Sequence, residues 1–585
     1  MKKISLLLCL FSLILITVSC SEQEVTDPPQ LHSRWSTVYD KKAEGIAKKW
    51  YLNFPTSNFT GSTWENWQIK NSRYRWHRQD FIAGELDSSA SYLLVFNTVA
   101  SPSIIWMNGE FLEHIPVTNE YVIDITDHLK ENSNNNIVFR NEFQEDLFGI
   151  NKIGIIKASP DTLLPEKKTD FHAMPLYDTP GEYVHDLIIY EAFIRNMSDP
   201  GTFTGFKNTI MRLNQLGINM VWLMPVHPVG MQNRQGDLGS PYAVRDHFST
   251  NARYGNLSGF RSLRSMLHRN NIRLILDAVT AQTAADHPWV QDYPSYYKND
   301  ASGRPLPAPG ALNRNIYDLN YDNENLRKRM ISYLDFWLEQ DVDGFRLHRS
   351  AAVPRDFWKQ VRDHYNNKEK DVFLLGDGDD PRQLTSGINA IESPALYQTF
   401  VSIANGEADA RAVGKTLFEE AGAYPEGTKF LHYAENHRTP RARDALGDSG
   451  HHLALVTIFT APGIPMIFCG EELSDPPEMD LYEKTDMNWY RIHWPTYNLI
   501  SKLAKFRKNS PVLTRGDLKP VATTPAVGGF SRRYRNETWY VLLNYSESEQ
   551  IYQCDAKTTV FSDGSSGIVD KGRVRLEAKG YCIVK

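Results

Sequence analysis

From Asp186 onward the chain alternates short apolar runs with longer stretches of helical period, and this alternation limits the possible folds more than any other feature. The apolar runs are LIIYEAFI (187–194), INMVWLMPV (218–226), IRLILDAV (272–279), VDGFRL (342–347), VFLLGD (372–377), KFLHYAENH (429–437) and IPMIFCGEE (464–472). Between them lie FKNTIMRLNQLG (206–217), SGFRSLRSMLHRNN (258–271) and LRKRMISYLDFWLEQ (326–340), whose apolar residues recur at helical spacing. Runs apolar throughout suit strands covered on both faces, and a helix between consecutive strands makes them parallel. About 320 residues of such units predict an eight-fold βα barrel with insertions over 186–505. In that fold chemistry sits at the carboxyl ends of the strands, so the residues closing each run are the candidates.

The flanks read differently. SYLLVFNT (91–98), SIIWMNGEF (103–111), YVIDIT (121–126) and NIVFRNEF (136–143) are short β-rich runs, with Asn108-Gly109 as a hairpin turn. They predict an N-terminal β-sandwich over 31–158, followed by a proline-punctuated linker over 159–185. FSRRYRN, TWYVLLNYS, IYQCD and VRLEAKGYCIV predict a small C-terminal β-domain over 506–585. The net charge of -6 argues against a nucleic-acid partner.

Lys2 and Lys3 precede an apolar run from Ile4 to Val18 that is too short to span a bilayer, which predicts a signal peptide over 1–19. The Ile-Thr-Val-Ser-Cys ending resembles a bacterial lipobox. It makes Cys20 the expected lipidation site, residues 20–30 a tether, and the cell envelope, as on a Gram-negative outer membrane, the expected location. Ordinary cleavage near Ser19 is the alternative. Cys469, Cys554 and Cys582 show no metal-ligand spacing; Cys554 and Cys582 can pair or stay as buried thiols.

The stretches GINMVWLMPVHPVG (217–230), GDLGSPYAVRDH (236–247), LILDAVTAQTAADHPWV (274–290), DGFRLHRSAAVPRDFW (343–358), FLLGDGDDP (373–381), YAENHRTPRA (433–442) and GIPMIFCGEE (463–472) resemble, in order, the strand motifs of the alpha-amylase family, glycoside hydrolase family 13. The segment around WMNGEFLEH resembles the sugar-binding-like jelly-roll domain of glycoside hydrolase family 2. The barrel resemblance implies alpha-glucan or maltooligosaccharide as the carbohydrate partner and three carboxylates as the reacting set. A retaining glycosidase needs a nucleophile and an acid/base about 5–5.5 Å apart. At the nucleophile position this chain has His348; the flanking Asp343-Gly344-Phe345-Arg346 and Val353-Pro354 fix the register. At the acid/base position it has Asp377, one methylene shorter than glutamate, and a misplacement of about 1 Å can cost on the order of a hundredfold in rate. At the third position it has Arg438, a cation where positive charge grows on the sugar.

The resemblance assigns substrate-side roles to Tyr242, as a stacking face above Asp246 and Asp277, and to Gln282, Arg346, Asn436 and His437. Asp246, Asp277 and Arg346 also have a structural reading, as groups that knit the barrel rim. Ala281 stands where the family often has a calcium-ligating asparagine, so no cofactor and no calcium are expected. Arg438 is expected to pair with Asp377 or Asp246, and His348 to stay neutral among nearby cations. The leading reading is a degenerate, non-hydrolytic barrel that binds glycan or serves a protein partner. The alternatives are an active glycosidase using Asp377 with another acid such as Glu435, and a pocket for an acidic sugar held by Arg346 and Arg438.

Overall fold

The computed structural model describes residues 36–40, 74–87, 90–99, 103–115, 121–142, 150–158, 171–178, 181–308, 314–378 and 380–585. The expected signal peptide, Cys20 and tether lie outside the described residues. So does most of the expected linker. The chain divides into two compact units, Met1–Ala173 and Met174–Lys585.

In the first unit, Ser36–Asp40, Tyr74–Ala83, Ser133–Glu142, Ser103–Met107 and Glu110–Ile115 form a five-stranded antiparallel sheet. Tyr121–Asp124, Ser91–Val99 and Ile150–Ala158 form a three-stranded one. Alternation along the strands sends Tyr92, Leu94 and Phe96 from one sheet and Ile105, Met107, Ile137 and Phe139 from the other into one apolar core. Asn108 and Gly109 turn the hairpin with φ of 52° and 85°, as a two-residue Asn-Gly loop requires.

The second unit is built on a closed barrel of eight parallel strands. They are, in order, Ile189–Ala192, Met220–Leu223, Arg273–Val279, Gly344–His348, Phe373–Gly376, Ala390–Glu392, Lys429–Tyr433 and Ile464–Phe468. The sixth, only three residues long, adds to the seven runs evident from the sequence. Helices Leu257–Arg269 and Glu324–Leu338 fall where the helical spacing predicts them. The apolar strands serve two cores at once. Ile189, Met220, Trp222, Ile275, Phe373, Leu375 and Leu431 fill the barrel interior, while Tyr190, Val221, Leu223, Leu276, Phe345, Leu374 and Ile467 face the surrounding helices. A period of two therefore decides which closing residues face the interior.

The C-terminal strands form a five-stranded sheet, Asp517–Lys519, Val527–Tyr534, Glu537–Asn544, Tyr581–Val584 and Thr559–Ser562, and a three-stranded one. Phe530, Val541, Leu543 and Ile583 join the same core as the barrel helices. Buried Arg532 donates to the carbonyls of Thr460 (2.7 Å) and Gly516 (2.6 Å). Helix Trp494–Lys508 runs through the expected boundary at 505. Cys554 and Cys582 are both free thiols, with Cys582 buried.

Two predictions come from this packing. A β-carbon on Gly344 would lie 2.0 Å from the Phe373 carbonyl oxygen of the neighbouring strand. Gly344→Ala is therefore expected to destabilise the barrel by roughly 1–3 kcal/mol or more, read as a lowered urea midpoint. A midpoint equal to the parent's would contradict the close approach. Beneath the second-strand loop, His227, His247 and His287 are all buried, and His247 Nδ1 lies 3.1 Å from His287 Nε2. Burial lowers them to about 3, 4 and 2. The unfolded chain takes up these protons first, near pH 6.5. Stability is thus complete above about 6.5 and falls as pH drops toward 4, by about 1.4 kcal/mol per pH unit for each imidazole. Thermal melts from about pH 7.5 to 4.5 should show this decline, and a flat profile would contradict it.

Candidate functional site

Glu191, Asp277, Arg346 and Glu392 share the parity of the interior-facing residues on their strands, and Asp377 closes the fifth strand two residues after interior Leu375. The barrel therefore points one guanidinium and several carboxylates at a common centre. Arg346 is fully buried. Its Nε donates to Glu392 Oε1 at 2.7 Å, Nη2 lies 2.9 Å from Asp377 Oδ1, and Nη1 lies 3.3 Å from both oxygens of Asp277. Three carboxylates thus surround one desolvated cation.

Arg438 approaches from the loop after the seventh strand. It bridges Asp377 Oδ1 (3.0 Å) and Glu392 Oε2 (2.6 Å). Of its two expected partners only Asp377 is engaged. Asp246 instead closes a local turn, accepting from the Phe248 N–H (2.9 Å) and the Ser249 hydroxyl (2.6 Å). It is not part of a platform under Tyr242, because its short side chain is satisfied two and three residues along the chain. The second oxygen of Asp377 accepts from the Arg349 N–H at 3.0 Å. Arg349 has φ of 51°, so the backbone turns left-handed immediately after His348 and aims its N–H at the carboxylate.

His348 stacks flat on Tyr242, with ring centroids 4.0 Å apart and planes 20° from parallel. The face expected to receive a sugar ring is covered by the imidazole. Burial first, and then the Arg346 and Arg438 charges, hold His348 well below its ordinary pKa against the pull of Asp377. The expected neutral state follows, with desolvation as its main cause. For Asp377, burial pushes upward, but Arg346 and Arg438 override it and hold the carboxyl well below the usual range. A general acid needs the opposite shift.

The remaining candidates form a relay on the other side. Tyr242 Oη lies 3.1 Å from Asp277 Oδ2 and 3.1 Å from His437 Nε2, and His437 Nδ1 lies 2.5 Å from Glu191 Oε1. Burial raises Glu191 to about 8 and Asp277 to about 6, and lowers His437 to about 3. Protonated Glu191 can donate to Nδ1, leaving Nε2–H for Tyr242 and the tyrosine hydroxyl for Asp277. Gln282 donates to the Tyr242 carbonyl (3.2 Å) and accepts from Arg349 (2.7 Å), so both ends of its amide are taken. Asn436 Oδ1 accepts the Arg438 N–H at 2.8 Å and shapes that loop. Glu435, the alternative acid, is turned away. It bonds Arg441 (2.6 Å) and the Ala442 N–H (2.5 Å) at the start of helix Ala442–Thr460. Among the described residues no group of His, Cys, Asp and Glu side chains is arranged to hold a metal.

Glu392 and Glu191 escape the motif reading. Glu191 lies within LIIYEAFI, and its parity with Ile189 was the available signal. Glu392 closes a strand too short to show a period. Including Glu392, two guanidinium groups face three carboxylates, so the site is less cationic than His348, Asp377, Arg438 and Arg346 alone suggest.

A family profile described as the alpha-amylase catalytic domain matches residues 157–303 and 311–488, more than half of the chain. Alpha-amylase MalA of Haloarcula japonica is 25% identical over 390 residues, 63% of this chain and 56% of that protein. An alpha-1,4-glucan:maltose-1-phosphate maltosyltransferase of Picrophilus torridus is 26% identical over 401 residues, 63% of this chain and 62% of that protein. The chain thus spans somewhat more than half the length of either relative. The crystal structure of the maltogenic alpha-amylase AmyB from Thermotoga neapolitana superposes with a TM-score of 0.63 at 26% identity, covering 68% of this chain and 98% of that one. On the catalytic-domain match and the closed barrel, the chain belongs to the alpha-amylase family.

Proposed function

We propose that this protein is a non-hydrolytic member of the alpha-amylase family that serves alpha-glucan metabolism by binding glycan or a partner protein. The observation that carries the reading is Asp377, clamped between Arg346 (2.9 Å) and Arg438 (3.0 Å). A carboxylate held ionised by two guanidinium groups has no proton to give a leaving oxygen. The group at the nucleophile position is a neutral imidazole stacked on a tyrosine. Attack by it would give a cationic glycosyl-imidazolium with Arg346 and Arg438 alongside, a poor match to an ion-pair mechanism. The same contacts disfavour an acidic sugar at this centre, since Arg346 and Arg438 already have carboxylate partners.

The test compares the native chain, Asp377→Ala, and a restored His348→Asp, Asp377→Glu, Arg438→Asp variant on starch, glycogen and maltooligosaccharides. The expected result is no reducing sugar from the native chain, no change in Asp377→Ala, and turnover gained only by the restored variant. Turnover by the native chain comparable to ordinary amylases, and lost in Asp377→Ala, would overturn the proposal.

A further inference from the structure

Outside this closed centre the barrel rim carries a second cleft, of about 330 Å³, where the loops following the first, second and eighth strands meet. Its lining is basic. Arg195, Arg234, Arg253 and Lys484 contribute to it, and no carboxylate does. Lys484 pairs with Asp486. None of the three arginines has a carboxylate within ion-pair distance among the described residues. Arg195 is 3% exposed. It donates to the carbonyls of Leu481 (3.0 Å), Glu483 (3.5 Å) and Gly239 (3.3 Å) and lies over the Phe193 ring at 4.7 Å, all neutral partners. Its Nε makes no well-formed hydrogen bond among the described residues, and the hydroxyl of Tyr254, also 3% exposed, is turned toward this guanidinium. Burial raises the Tyr254 hydroxyl, and the charge of Arg195 and its hydrogen bond to that hydroxyl pull against the rise. Arg234 is half-buried, with its Nη1 on Met231 Sδ at 3.1 Å.

A buried guanidinium answered by carbonyls, a phenyl face and a phenol hydroxyl, with no carboxylate among these partners, lacks a counter-charge that an anion can supply. Arginine forks match the oxygens of a phosphate, and a tyrosine hydroxyl can donate to a third oxygen. The cleft is about ten times the ~30 Å³ share of one water, more than a phosphate alone requires, and lies within the range of small-molecule sites. We propose that this cleft is a binding site for a phosphoryl group, carried by a small sugar phosphate or present as inorganic phosphate. The site is independent of the closed centre and does not depend on whether hydrolysis survives.

Calorimetry on the full chain with inorganic phosphate, glucose 6-phosphate and glucose, at low and high salt, tests it. The variants are Arg234→Gln/Arg253→Gln, whose side chains lie at the cleft rim, and Arg269→Gln, a surface control on helix Leu257–Arg269. Both phosphates are expected to bind, more weakly at high salt, and glucose not to bind. The double variant should lose at least tenfold in affinity and Arg269→Gln should match the parent. Tighter binding of glucose 6-phosphate assigns the remaining volume to a sugar; equal binding assigns the site to phosphate itself. Absence of binding by both phosphates, or an affinity unchanged in the double variant, would overturn the proposal.

Discussion

The site rests on the burial of Arg346. A guanidinium removed from water must find anions, and the barrel supplies them from three neighbouring elements: Asp277 on the third strand, Asp377 at the end of the fifth and Glu392 on the sixth. Once Arg346 is in place, the protonation of its neighbours is constrained. Asp377 is held ionised because two cations face it, while Asp277 is raised to about 6 because burial outweighs its share of Arg346. The two acids differ by environment rather than by type, the principle that sorts acid from base in working glycosidases. Here that sorting leaves Asp377 ionised.

Arg438 turns this arrangement into a closed one. Its side chain is 43% exposed, so its bonds to Asp377 and Glu392 are partly screened and add less than the buried Arg346 contacts. It engages Asp377, the most exposed of the three carboxylates around Arg346. With His348 covering Tyr242 on the other side, both the Asp377 carboxylate and the Tyr242 ring are engaged by protein.

Most of the barrel was legible because each strand buries both faces, which leaves long apolar runs in the sequence. The close packing of the fourth strand was legible for a related reason. Gly344 stands in the sequence where a β-carbon would lie 2.0 Å from the Phe373 carbonyl oxygen, so the backbone two residues before Arg346 demands a glycine. Three residues, Ala390–Glu392, were too few to show a period, and Glu392 went unseen with them. Asp246 illustrates the opposite limit. A motif position predicts where the backbone passes, but a short acidic side chain can satisfy itself within its own turn, and here it does. The motif order marks Tyr242 as a candidate stacking face, yet no one-dimensional pattern reveals that a histidine from a distant strand would lie flat against it.

The substituted groups also constrain one another. An acid at position 438 alone would leave Arg346 facing Asp277, Asp377, Glu392 and a fourth carboxyl, and like charges in a desolvated site push one another toward the neutral form. An acid at position 348 alone would stand close to Asp377, since His348 Nδ1 already lies 3.5 Å from Asp377 Oδ2, and it would give up the stack on Tyr242. Removing a partner from a buried ion pair is more damaging than never having formed it. Groups that share one network do not change their energies additively. The imidazole, the short acid and the guanidinium therefore act as a single unit, in which each makes the other two tolerable and none can be exchanged for a carboxylic acid of another length or charge without altering the protonation of the rest.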